Sequence, residues 1–380
     1  MTDAIIEGRM VQSQEVITGQ IHIKGGAIAD VVSDRDSFQP ASIRLAQDQV
    51  VVPGFVDIQI NGAFGKEFKT DLDAVEVISH GLPEFGTTAF CPTVTTMASD
   101  RYTTWLDGLA ASASRADGAI PLGFHLEGPA LNPEKVGAQN SDLLRSPGDL
   151  DAAMYGRSDL RILTLAPELP GSWELASTLI GQGVRVGVGH SLIDYDDLVG
   201  SFDPAHMLVV HAFNAMADLN SRKPGVIGAV LDRDDFYCSV IADRIHVSDP
   251  TLRVLWKAKR DKSKIIGITD GSAVTGLDVG VHQIGSRSIE KREDRAVLEG
   301  TETLVGSTLT LDAAVRNLVA VTGCSLPEAV ACVTRNPATL LGIGERKGSI
   351  AIGMDADLAV LDSSLRVVST LIGGCTVWSK

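Results

Sequence analysis

The sequence predicts an α/β protein: a (β/α)8 TIM-like barrel with a small β-sandwich domain formed by both chain termini. Three observations predict it. Eight near-continuously apolar runs recur along the middle of the chain, as strands buried on both faces require. Helical stretches such as WELASTLIGQG and PTLRVLWKAKR lie between most of them. Both ends of the chain are β-rich in a different, alternating pattern.

From the N-terminus, AIIEGRMV, EVITGQIHIKGGAIADVV and ASIRLAQDQVVV are β-branched and broken by Gly or Asp. At the other end, GSIAIGMDADLAVLD and LRVVSTLIGGCTVWS read the same way. Residues 1–50 and 345–380 are therefore expected to share one sandwich, and residues 51–344 to form the barrel. The eight expected barrel strands are VVPGFVDIQIN, TTAFCPTV, PLGFHLE, RILTLAPE, VRVGVGH, HMLVVH, YCSVIAD and KIIGITD. After the eighth, residues 271 to 305 form a charged, turn-rich insertion, followed by two expected helices. The last of these opens on a capping box, Ser325 to Glu328, with Pro327 in its first turn.

With 380 residues, 44% of them hydrophobic and 21% charged, the chain has material for a large core. Its formal charge of −15 repels nucleic acid and anionic membrane surfaces. Five scattered cysteines without a C-x-x-C pair suggest reduced thiols in the cytoplasm. MTDAIIEGRM lacks the layout of a signal peptide, and no apolar run approaches a membrane span. The expectation is a soluble cytoplasmic protein with neither nucleic acid nor membrane as partner.

Polar residues stand where the strands end. Glu127 follows PLGFHL, His190 follows VRVGVG, His211 follows HMLVV and Asp270 follows IIGIT. In a barrel these C-terminal ends converge on one mouth. One carboxylate and two imidazoles make a three-ligand metal site with an open position, and Asp270 beside it is a natural general base. Taken singly, such a histidine is more often a satisfied core or loop residue, and such a carboxylate caps a helix. Four on separate strands of one barrel make coincidence a poor account. His206 begins a strand at the opposite face, and His22, His80 and His282 lie outside the mouth; all four read as structural. His125 shares a strand face with Glu127 two residues on, which allows it at most a supporting role.

These segments resemble the amidohydrolase superfamily and, within it, the N-acetylglucosamine-6-phosphate deacetylases. The resemblance runs from VVPGFVDIQING through HLEGPALNPEKVGA, VGVGHS, HAFNAM, RKPGVIGA, IADRIHV and GSTLTLDAAVRNL to RNPATLLGI and GSIAIGMDADLAVLD. HLEGP followed by LNPEK-x-G-A is its most specific part. It implies hydrolysis of the acetamide of an amino sugar phosphate, with Glu127, His190 and His211 holding one divalent metal ion and Asp270 as acid/base. Zinc is the ion expected, with iron or another divalent ion as the alternative. It also implies sugar and phosphate contacts at Gln139, Asn214, Ala215, Arg222 and His246. Arg222 is expected to reach across a homodimer interface, although alone Arg222-Lys223 reads equally as a solvated loop.

The chain departs from that family in places. Gln59 and Asn61 stand where the superfamily carries H-x-H, which leaves a vestigial second-metal position, since amides are poor ligands beside imidazole. Gln139 stands where the family has a histidine that polarises the acetyl carbonyl, and Arg244 where it has a glycine. TDGSAVTG replaces an alanine-rich stretch. The alternatives are an amidohydrolase acting on the galactosamine epimer or another N-acyl substrate, and a catalytically silent relative used for binding.

Overall fold

The computed structural model describes residues 3–201 and 203–380. Its central element is a nearly closed barrel of eight parallel strands in chain order: Phe55–Ile60, Thr87–Thr95, Phe124–Glu127, Leu160–Leu165, Arg185–Val188, Met207–Val209, Tyr237–Ile241 and Ile265–Ile268. Each lies in one of the eight predicted runs, and nearly every residue in them is buried, because side chains fill the barrel on one face and meet helices on the other. Helices Ser172–Gly181 and Asp249–Ala258 show how the outer layer is made. They turn Leu175, Ala176 and Leu179, and Leu252, Leu255 and Trp256, onto the barrel at helical spacing.

The first and eighth strands close the barrel only at its C-terminal rim. There Asp270 N–H donates to the Gln59 carbonyl at 2.8 Å, and the N–H groups of Asn61 and Gly62 both reach the Gly271 carbonyl at 2.9 Å. Lower down, the first strand bonds elsewhere, with Val56 N–H donating to the Val333 carbonyl at 2.8 Å. The closing hydrogen bonds thus sit where Gln59, Asn61 and Asp270 leave the sheet.

Both termini share a second sheet of eight strands. Ala4–Gln12 pairs in parallel with Val50–Pro53, which pairs antiparallel with Leu358–Leu361 from the other end of the chain. The sheet rolls back on itself, since Ile28 N–H donates to the Met354 carbonyl at 2.8 Å and Ala356 N–H to that of Gly26 at 2.9 Å. Ile6, Met10, Ile21, Leu358, Val360 and Leu371 form its own core.

Four details differ from the sequence reading. VVPGFVDIQIN is two strands, because the chain leaves the terminal sheet after Pro53 and enters the barrel at Phe55; both halves are apolar, so composition hides the crossing. The insertion holds an antiparallel sheet, Gly280–Ile284, Arg287–Lys291 and Ala296–Leu298, around Ile284, Ile289 and Ala296. Three helices follow it, Leu311–Thr322, Leu326–Cys332 and Arg335–Leu340, and the capping box opens the second of them. His206 ends a short turn before its strand and meets Arg185 at 2.8 Å. Among the described residues, no helix is long and apolar enough to cross a membrane, and no disulfide is formed.

Gly54 makes the crossing between sheets, its N–H donating to the Asp357 carbonyl at 2.8 Å. A Cβ there would lie 2.2 Å from Thr88 Oγ1 and 2.4 Å from its Cγ2. Thr88 is buried and β-branched, so it has no easy retreat. Gly54→Ala is expected to cost about 1–3 kcal/mol in denaturant titration, with an unchanged midpoint showing instead that the crossing relaxes freely.

Candidate active site

Three of the strand-end residues share an uncommon backbone conformation. His190, His211 and Asp270 have φ of 49°, 33° and 49°, in the left-handed region that non-glycine residues avoid at a cost on the order of 1 kcal/mol. At these points the chain breaks from the strand within one residue, and all three side chains line the same cavity. Glu127 joins them from the regular end of the third strand.

Glu127, His190 and His211 each offer one ligand atom, and these atoms lie within 4.8 Å of one another. Glu127 Oε1 is 3.0 Å from His211 Nε2 and 3.4 Å from His190 Nε2, and all three residues are buried. His190 Nδ1 donates to the Lys135 carbonyl at 2.7 Å, which turns its Nε2 toward the Glu127 carboxylate. Burial alone would raise the Glu127 carboxyl, but hydrogen bonds and charge from the two histidines hold it well below the ordinary range. Burial alone would lower His211, and the bond and charge of Glu127 raise it. The donor set fits a divalent cation: one carboxylate and two imidazoles, enclosed and pre-gathered.

Carboxamides surround this cluster. Gln139 Nε2 donates to Glu127 Oε2 at 3.0 Å while its Oε1 accepts from Thr96 N–H at 2.9 Å. Gln59 Nε2 donates to Glu127 Oε1 at 2.9 Å and lies 3.4 Å from Asp270 Oδ1. Asn61 Nδ2 donates to the same Asp270 oxygen at 2.7 Å. Gln59 Oε1 and Asn61 Oδ1 are buried without a partner. The Asp270 carboxyl is raised, first by burial and then by the negative charge of Glu127. It is therefore a carboxyl that holds a proton more readily than an ordinary aspartate, beside the place where three ligands converge.

Above these groups opens a cavity of about 600 Å³. Asn214, Ala215 and His246 line it from the loops after the sixth and seventh strands, and His246 Nδ1 is 2.6 Å from Asp243 Oδ2. Arg222 is exposed and outside this lining, so the predicted residues that gather in one chain exclude it. Arg244 also stays out: at φ 68° it turns away from the cavity into a two-bond pair with Asp249, at 2.6 and 2.8 Å. A glycine takes that backbone without strain, which is a physical reason for one at this position. His125 is buried below the site between the Ile58 carbonyl (3.1 Å) and Thr164 Oγ1 (2.7 Å), and burial pushes it down to about 4, so it stays neutral.

Sequence reasoning missed several residues. Glu168, three residues past its strand, accepts from Asn132, Ser191 and the Leu192 N–H at 2.6 to 2.8 Å and so ties the loop behind His190. Lys69, Glu67 and Arg287 line the cavity from the short strand Lys66–Glu67, the residues just after it and the inserted sheet, segments whose sequences carry no pattern. Asp57, a carboxyl inside an apolar strand run, was a visible signal. It is wholly buried, accepts from Thr269 Oγ1 at 2.5 Å and from Gln59 N–H at 3.2 Å, and braces the seam below Asp270.

Burial, only partly offset by these hydrogen bonds, pushes Asp57 up to about 7. Its folded-state value lies above its unfolded one, so the stability it contributes is present at low pH and falls as pH rises from about 4 through about 7. Between pH 5 and pH 8 the wild type should lose stability relative to Asp57→Asn. Parallel denaturation curves with a constant gap would contradict this.

Residues 50–377 match the amidohydrolase family. The N-acetylglucosamine-6-phosphate deacetylase of Bos taurus is 34% identical over 392 residues, covering 97% of this chain and 94% of its own. That of Bacillus subtilis is 34% identical over 377 residues, covering 96% and 94%. Among solved structures, a mutant N-acetyl-D-glucosamine-6-phosphate deacetylase from Mycobacterium smegmatis in complex with N-acetyl-D-glucosamine-6-phosphate superposes with a TM-score of 0.90. It is 29% identical and covers 100% of both chains.

Proposed function

The chain belongs to the amidohydrolase family, and on that premise we propose that it hydrolyses the acetamide of N-acetylglucosamine-6-phosphate to glucosamine-6-phosphate and acetate. The observation that carries the reading is the convergence of Glu127, His190 and His211 beside a half-buried Asp270 whose carboxyl is raised. Relatives matched over 94% of their own length and named N-acetylglucosamine-6-phosphate deacetylase support the substrate.

Glu127, His190 and His211 hold one divalent ion, zinc by the chemistry of the donors, with iron or another divalent ion as the alternative. When bound, such an ion supplies Lewis-acid chemistry, lowering the pKa of water and polarising a carbonyl. Asp270 accepts the proton of the attacking water and returns it to the amine nitrogen as the C–N bond breaks. Gln59 and Asn61 occupy the vestigial second-metal position and hold Asp270 by hydrogen bonds in place of a second ion. Gln139, whose amide nitrogen has one N–H committed to Glu127, offers its other N–H to the acetyl oxygen. That donor is neutral where a histidine would be able to carry charge.

Asn214, Ala215 and His246 bind the sugar and its phosphate, and Arg222 completes the phosphate site from a second copy in a homodimer. An exposed arginine outside its own cavity supports that arrangement. The partner is a small-molecule amino sugar phosphate, and the setting is cytoplasmic.

The test is acetate release from N-acetylglucosamine-6-phosphate, with the unphosphorylated sugar and the galactosamine epimer alongside. Release confined to the phosphorylated glucosamine is expected. Asp270→Asn should lower kcat by about 10²–10⁴-fold with bound metal unchanged by elemental analysis; an active variant removes Asp270 from the mechanism. Gln139→Ala frees Glu127 Oε2 from its hydrogen bond, and residues that orient ligands matter about 10–100-fold to affinity. Chelator competition should show metal retained about tenfold more weakly. Equal retention would mean that Gln139 serves only the substrate.

A further inference from the structure

The cavity has a cationic side that the hydrolytic reaction leaves unused. Lys69 lies just after Lys66–Glu67, beyond the first barrel strand, and Arg287 begins the middle strand of the inserted sheet; both line the cavity. Arg287 has its counter-ion, with Nη2 2.5 Å from both oxygens of Glu67. Lys69 has no hydrogen-bond or ion-pair partner among the described residues. Arg101 adds a third cation nearby, folded over the Trp105 ring at 4.8 Å.

A lysine that only needed water for its charge would extend beyond the rim. This one is half-buried in the cavity wall beside like charges. Its ammonium is held below the ordinary lysine value, first by burial and then by the charge of Arg287, with Glu67 pulling the other way. The chain carries 48 acidic residues against 33 basic ones, so a cation left without a carboxylate here is not for want of them. Lys69 reaches the cavity from the segment after the first strand, apart in the chain from Asn214, Ala215 and His246, which follow the sixth and seventh.

We propose that Lys69, backed by Arg287, forms a second anion subsite, through which the enzyme accepts N-acetylated amino sugar 6-phosphates bearing a further negative group on the ring. The inference rests on the deacetylase reading of the same site. An incoming carboxylate or phosphate would give Lys69 the charge-assisted hydrogen bonds it lacks.

The experiment compares kcat/KM for N-acetylglucosamine-6-phosphate with that for two doubly anionic sugars, its 1-phosphate ester and its 3-O-carboxyethyl ether, in wild type, Lys69→Met and Lys69→Arg. For at least one of the two, the ratio to the singly phosphorylated sugar should fall about tenfold or more in K69M and recover in K69R. The sugar that shows the fall identifies the anion as phosphate or carboxylate. Ratios equal in all three proteins overturn the subsite. If the wild type releases no acetate from any sugar, the deacetylase reading falls by itself, and calorimetry decides the subsite separately. A doubly anionic sugar must then bind wild type about tenfold more tightly than K69M; equal binding overturns it.

Discussion

The carboxylate of Glu127, buried with neither lysine nor arginine against it, sets the arrangement of the mouth. In a low-dielectric interior such a group stays ionised only if its surroundings supply donors. Here the donors come from different strands: imidazoles from the fifth and sixth, an amide from the first, and Gln139 from the loop after the third. Each must arrive within hydrogen-bond reach of two oxygen atoms. The left-handed residues at His190 and His211 are where the backbone bends to meet that demand. Their conformational cost is small beside that of leaving the charge unsolvated.

The same carboxylate sets the character of its neighbour. Glu127 is held low by its histidines while its negative charge, together with burial, raises Asp270. Two neighbouring acids are thereby separated into one that stays anionic and one that holds a proton more readily than an ordinary aspartate. Divergent environments for paired carboxyls are a recurrent way of assigning such roles. The seam between the first and eighth strands keeps the pair at fixed spacing. Asp270 and Gln59 are joined through their backbones at 2.8 Å, and Asp57 locks Thr269 just beneath.

Much of this was legible because burial on both faces leaves a plain mark in sequence. The eight barrel strands are mostly apolar, so a polar residue at the end of one stands out, as Glu127, His190, His211 and Asp270 do. Pattern failed where that contrast was missing. Val50–Pro53 and Phe55–Ile60 are equally apolar although they belong to different sheets. The inserted sheet buries only a small core of its own, so its strands read as a charged loop. Lys69, Glu67 and Arg287 come from segments distant in sequence, and only the folded chain brings them to one wall. Gln139 was recognised as a departure, but nothing local announced that both ends of its amide would be engaged by Glu127 and Thr96.

The amides of the first strand explain how one ion suffices on this reading. Two carboxylates at the bottom of a cavity need positive charge or donors between them. A second ion is one solution; an amide N–H₂ reaching both is another. Gln59 Nε2 lies within 2.9 Å of Glu127 and 3.4 Å of Asp270, with Asn61 adding a 2.7 Å bond to the latter. A neutral amide offsets less charge than an ion, so the charge of Glu127 still adds to burial in raising the Asp270 carboxyl. The arrangement also leaves Gln59 Oε1 and Asn61 Oδ1 as buried acceptors. A buried acceptor left without a donor costs about 1–3 kcal/mol, so these two oxygens favour a hydroxyl or water that donates to them. Gln59 and Asn61 thus hold the two carboxyls together by hydrogen bonds.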